Sequence, residues 1–144
     1  MATFNRVDLD AHHQLSEFVA GGAIRPGDLL SRTDALSIKK VVKSNTDGGG
    51  GLFFAMHDRL LGKTIADNYA SDDRVQCFAP RKGSQVWAWL ADEENVTAGA
   101  PLTANGDGSL RAAVVGTDHV VAFTEEALDL TGAAGDARIV VRIN

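Results

Sequence analysis

Turn signals break this chain roughly every 8–12 residues, and that spacing favours short strands over long helices. The clearest is Asn105-Gly106-Asp107-Gly108, because Asn-Gly and Asp-Gly supply the positive φ angles that tight hairpin turns demand. Pro26-Gly27-Asp28 and Pro80-Arg81-Lys82-Gly83-Ser84 are further turns, and Asn45 to Gly51 reads as a flexible loop. Glycine is abundant at 15 residues and proline scarce at 3, which suits a protein of many tight turns.

Between the turns lie short apolar stretches. Ile38 to Val42 reads as an edge strand, with lysines discouraging unwanted pairing. Leu52 to Met56 reads as a buried strand. Val75 to Ala79 and Gln85 to Ala91 flank the Pro80–Ser84 turn, which predicts a hairpin. In the second of these, Val86, Ala88 and Leu90 face one way and Trp87 and Trp89 the other, so both faces are apolar. That strand is either central in a sandwich or meets a partner on one face. Leu110 to Val115, His119 to Phe123 and Arg138 to Ile143 complete the set, the last with Ile139, Val141 and Ile143 on one side. The stretch from Asp58 to Asp73 has too little period to assign.

Two segments read as short helices. Asp10 to Ala20 places Leu15, Phe18 and Val19 on one side and ends at Gly21-Gly22. Glu125 to Leu130 follows a capping Thr124, carries acids in its first turn and stops at Gly132. The expectation is an all-β fold of about eight strands with one or two short helices, a sandwich or barrel. Residues 1–22 form an N-terminal arm and residues 23–144 a single β-rich domain. A chain of 144 residues can bury roughly 68–70% of its unfolded surface, enough for a core without staples.

Few residue patterns in the chain carry chemistry. A net charge of −5 disfavours nucleic acid, and the basic clusters Lys39-Lys40-Lys43 and Arg81-Lys82 are short and lie near acids. The one cysteine, Cys77, excludes an internal disulfide and reads as a core residue in a reducing compartment. The start of the chain lacks the apolar run of a signal peptide, and no eighteen-residue apolar run predicts a membrane span. Asn95-Val96-Thr97 is a chance glycosylation sequon. Gly62-Lys63-Thr64 resembles the end of a phosphate loop, but His57 stands where that loop needs glycine. His12, His13, His57 and His119 show no metal-ligand spacing, and His57-Asp58 lacks a nucleophile in recognisable context. Asp72-Asp73 and Asp92-Glu93-Glu94 do not follow a calcium-loop pattern. No catalytic residue, metal or cofactor is expected. The remaining candidates are Trp87, Trp89, Phe53, Phe54 and Phe78, as core or as an interface anchor.

From Gly51 onward the order of segments carries a resemblance. It runs Gly51-Leu52-Phe53-Phe54-Ala55, Gly62-Lys63-Thr64-Ile65, Tyr69-Ala70-Ser71-Asp72-Asp73-Arg74-Val75 and Pro80-Arg81-Lys82-Gly83. It continues through Asn95-Val96-Thr97-Ala98-Gly99-Ala100-Pro101-Leu102, Asn105-Gly106-Asp107-Gly108-Ser109-Leu110 and Ala122-Phe123-Thr124-Glu125-Glu126-Ala127-Leu128. This resembles the head-decoration, or capsid cement, proteins of tailed bacteriophages over roughly residues 22–144. The resemblance implies a small β-barrel or β-tulip domain, made in the host cytoplasm, that binds the outside of an icosahedral shell as a homotrimer. Its partners would be the major capsid protein and itself, with no nucleic acid and no membrane. The family brings no catalytic residues. It gives residues 1–22 the meaning of an arm lying along the shell, with Phe4, Val7 and Leu9 as its apolar anchors. The competing expectation is a small β-barrel module that binds a sugar or peptide on a platform of Trp87 and Trp89.

Overall fold

The computed structural model describes residues 3–10, 13–35, 38–43 and 52–144. Twelve strands occur among them, and no helix. β1 (Ser16–Ala20), β2 (Leu29–Ala35), β3 (Ile38–Lys43), β4 (Leu52–Ala55) and β5 (Arg74–Phe78) form one group. They close into a ring in the order β1-β3-β2-β4-β5, and β5 pairs back to β1. β6 (Gln85–Leu90), β8 (Pro101–Ala104), β9 (Leu110–Ala112), β10 (Ala122–Thr124) and β12 (Ala137–Ile143) form the second group, in the order β10-β12-β6-β9-β8. This sheet curls until β8 meets β10, and its β6–β9 junction is the single pair Leu90↔Leu110. β7 (Asn95–Val96) and β11 (Leu128–Asp129) make a small ribbon. The all-β, barrel-like class expected from the turn spacing is therefore the observed one.

Both expected helices are strands instead. Residues 16–20 pair antiparallel with β5 and parallel with β3, where the ring supplies hydrogen-bond partners that an isolated short helix would lack. Leu128 and Asp129 pair with Val96 and Asn95 for the same reason. Strands of so few residues are stabilised by their neighbours more than by intrinsic preference. The lysine-bearing strand is not an edge: β3 lies between β1 and β2. The strands expected to form a hairpin, β5 and β6, belong to different rings, and residues 80–84 carry the chain from one to the other. Leu110 to Val115 is shorter than expected, since pairing ends at Ala112. The Asn45–Gly51 loop lies outside the described residues.

Period-two alternation explains how the two rings share one core. Leu29, Phe54 and Phe78 point into a cluster with Val86, Ala88, Leu90, Leu102, Leu110, Ile139 and Val141 from the second ring. Their neighbours Leu30, Ala55 and Cys77 point the other way, into a second cluster with Ile24, Tyr69 and Val75. Each fully buried Phe or Leu contributes roughly 1.5–3 kcal/mol. The Tyr69 hydroxyl enters this cluster because it donates to the Met56 carbonyl at 2.6 Å. The N-terminal segment joins the larger core: Val7 is fully buried and belongs to the same cluster.

Candidate functional site

β6 organises the region with the most unusual chemistry. Its inner face, Val86, Ala88 and Leu90, is wholly buried. One edge pairs with β12 along six residues. The other edge, at its start, is taken by the N-terminal segment: Trp87 N–H donates to the Val7 carbonyl at 2.8 Å, and Leu9 N–H to the Gln85 carbonyl at 3.2 Å. Asp8 pairs opposite Val86. Phe4 stands edge-on to Trp87 with ring centroids 5.2 Å apart, and Leu9 is half-buried.

The outer face of β6 is covered by arginine. The Arg138 guanidinium carbon lies 5.0 Å from the Trp87 ring centroid and 4.4 Å from that of Trp89. Arg25 lies 4.3 Å from Trp89. Such stacking is favoured because the face of an indole is electron-rich. Trp89 Nε1 donates to the Pro26 carbonyl at 2.9 Å. Arg138 donates to the carbonyls of Pro26 (2.9 Å), Ile65 (3.0 Å) and Trp87 (3.3 Å). Burial, with Arg25 alongside, pulls its guanidinium down to about 10. Arg25 in turn donates to Asp28 at 2.8 Å and Asp136 at 2.6 Å. Asp28 is 0% exposed, and its burial raises its pKa, against the pull of Arg25 and of Lys43 at 3.7 Å. Trp87, at 6% exposure, has no face free for a ligand, so the two tryptophans do not form a platform for a sugar or peptide. Between Trp89 and residues 65–68 a cleft of about 390 Å³ opens, lined by Arg25, Ile65, Ala66, Asn68, Trp89 and Arg138.

A second constellation was invisible in the sequence. Asp8 Oδ2 lies 3.0 Å from His13 Nδ1, and His13 Nε2 lies 3.2 Å from Ser84 Oγ. The order is that of a hydrolytic triad, but the hydrogen bonds are spent otherwise. Arg81 N–H donates to His13 Nε2 at 3.0 Å, and the Ser84 hydroxyl donates to the Arg81 carbonyl. A ring nitrogen whose lone pair is held by an amide cannot also take a proton from serine. The group works as a staple, tying the N-terminal segment to the turn at 80–84, and Gln85 N–H adds a 2.8 Å bond to Asp10. The other polar candidates are also structural. His57 is half-buried, burial lowers its pKa, and no hydrogen bond joins it to Asp58. Asp58 caps its own turn, accepting from Leu61 N–H at 3.2 Å. Cys77 is buried and its thiol is pushed up to about 12. No group of His, Cys, Asp and Glu among the described residues could hold a metal ion.

Two exposed apolar pairs were also missed. Leu60 and Leu61 are 77% and 73% exposed, and Val114 and Val115 are 59% and 79% exposed. Each pair rides on a turn clamped by an aspartate. Asp58 holds the first, while Asp118 accepts from Val114 N–H at 2.9 Å and from Arg111 at 2.8 Å in the second. Valines in an apolar run look like strand interior; only the clamp turns them outward.

No family model and no curated protein sequence matches the chain. Among solved structures the fold is similar to the N base of the head fiber gp8.5 of bacteriophage phi29. The TM-score is 0.62 at 13% identity, over 92% of this chain and 95% of that one, so the two share a fold along nearly their whole length.

Proposed function

We propose that this chain is a structural protein of a bacteriophage head. The observation that carries the reading is the fold it shares with a head fiber base across 92% of its length. The ordered resemblance of its segments to capsid cement proteins supports the same reading independently. In this role the protein binds the major capsid protein on the outside of the shell, assembles as a homotrimer and stabilises the head. A trimer engages three places at once, so modest contacts multiply through effective concentration. Phe4, Leu9 and Trp89 keep part of their surface exposed and are the sequence-selected residues free to touch a partner. Val7 acts from within the core, holding the segment in place. The clamped Leu60-Leu61 and Val114-Val115 tips add apolar contact points.

The test is co-sedimentation of purified protein with mature, undecorated shells of the phage that encodes it. Saturable binding at one trimer per threefold position supports the full reading. Binding at another stoichiometry keeps the head protein but removes the trimer. Absence of binding to intact shells removes the capsid role.

A further inference from the structure

We propose that the cleft beside Trp89 binds a carboxylate, supplied by an acidic side chain of a protein partner. The site is defined by its own chemistry and does not depend on the shell reading.

Each guanidinium carries five N–H donors in a planar fork. The side chain of Arg25 commits two of them, to Asp28 and Asp136, and Arg138 commits three, to backbone carbonyls. Among the described residues, three donors on Arg25 and two on Arg138 have no acceptor, and both side chains line the cleft. Asn68, exposed at the rim, makes no side-chain hydrogen bond. Arg138 is held by neutral carbonyls alone, so its charge is stabilised by dipoles and ring faces and not by a contacting anion. In this cluster Arg25, Arg138 and Lys43 balance the carboxylates Asp28, Asp136 and Asp107, so the two guanidinium forks meet the cleft without a local negative excess in a chain of net charge −5. A half-buried cation with donors to spare favours an anion that can accept two parallel N–H bonds, which a carboxylate does.

The rest of the lining chooses among anions. Ile65, Ala66 and the Trp89 ring offer apolar surface that suits the methylene stem of a glutamate. A polyanion such as nucleic acid would meet the repulsion of the whole acidic chain, whereas one carboxylate on a neutral segment would not.

The experiment titrates isotopically labelled protein with a capped glycine-serine peptide bearing one glutamate and follows the two indole N–H signals, with the same peptide bearing glutamine and inorganic phosphate as parallel ligands. The glutamate peptide is expected to shift the Trp89 signal saturably, with Trp87 responding less, and higher salt should weaken the effect. Asn68→Asp and Ala66→Glu place a negative charge at an exposed rim and should weaken binding about tenfold or more without lowering Tm. An equal response to the glutamine peptide, undiminished binding by both variants, or no shift at all would overturn the proposal. Phosphate binding more tightly than the glutamate peptide would overturn the carboxylate assignment.

Discussion

Gly27 lies directly beneath Arg138: a Cβ built on Gly27 would come 2.7 Å from Arg138 Nη1. The same atom would also sit 3.1 Å from the Trp87 carbonyl, and Gly27 has φ +96°. The contact places the turn before β2 against the outer face of β6, so the two rings are locked where backbone meets guanidinium. Gly27→Ala therefore meets both backbone strain and a steric clash, and should destabilise the fold by about 2–4 kcal/mol. Urea unfolding should show a lower midpoint with an unchanged slope; an unshifted midpoint would mean the contact relaxes freely.

Arg138 links the same two rings through three carbonyls and two indole faces. Arg138→Ala should cost about 2–4 kcal/mol, from lost stacking and charge-assisted hydrogen bonds. Arg138→Lys should restore only part of this, since an ammonium cannot present a planar fork. Full recovery by lysine in the same unfolding experiment would show that charge alone matters.

Val7→Ala removes two methyl groups from a fully buried site and should destabilise the protein by about 1.5–3 kcal/mol. Leu9→Ala, at a half-buried position, should cost less. If truncation of residues 1–10 left the midpoint of thermal unfolding unchanged, the burial of Val7 would carry no weight in stability.

The bonds from Arg111 hold the Asp118 carboxyl below its ordinary value of 3.8, helped by the Val114 amide. A carboxylate lowered by folding contributes stability above its unfolded pKa, and that contribution is lost as pH falls through the folded one. Thermal stability should accordingly fall as pH drops below about 4, and Asp118→Asn should flatten that part of the profile. The clamp also sets the Val114-Val115 tip. Val115→Asp, at a 79% exposed position, should change stability by no more than about 0.5 kcal/mol. A marked loss of shell binding by that otherwise intact variant would locate a contact there.

Cys77 should be inert in the native protein. Its thiol is buried and pushed up to about 12, so almost no thiolate exists at pH 8. A thiol reagent should label one cysteine per chain in denaturant and essentially none without it; rapid native labelling would show that the ring opens locally.

The local features of the fold were legible in the sequence because they are set by local sterics. The Asn105–Gly108 turn is the β8–β9 hairpin, with Gly106 and Gly108 at φ +98° and +94°. The alternation of β12 is observed as read, with Ile139, Val141 and Ile143 buried. Gly108 held more than its turn revealed: a Cβ there would sit 2.7 Å from the Asp28 carboxyl, a contact that exists only because distant segments meet.

What the sequence by itself determined is where the chain turns and which residues alternate, since φ, ψ and a period of two are properties of neighbouring residues. Only the tertiary structure decided partners. β5 and β6 are five and six residues long and fit a hairpin as well as separate rings; the separation follows from where Phe78 and the Val86 face can both be buried. Leu15, Phe18 and Val19 suit a helix until β5 and β3 offer a ladder to residues 16–20. The candidate site was legible only as two tryptophans. Arg25 and Arg138 lie 113 positions apart and share Trp89 because ring closure brings them there, and no local pattern encodes a contact between such distant residues.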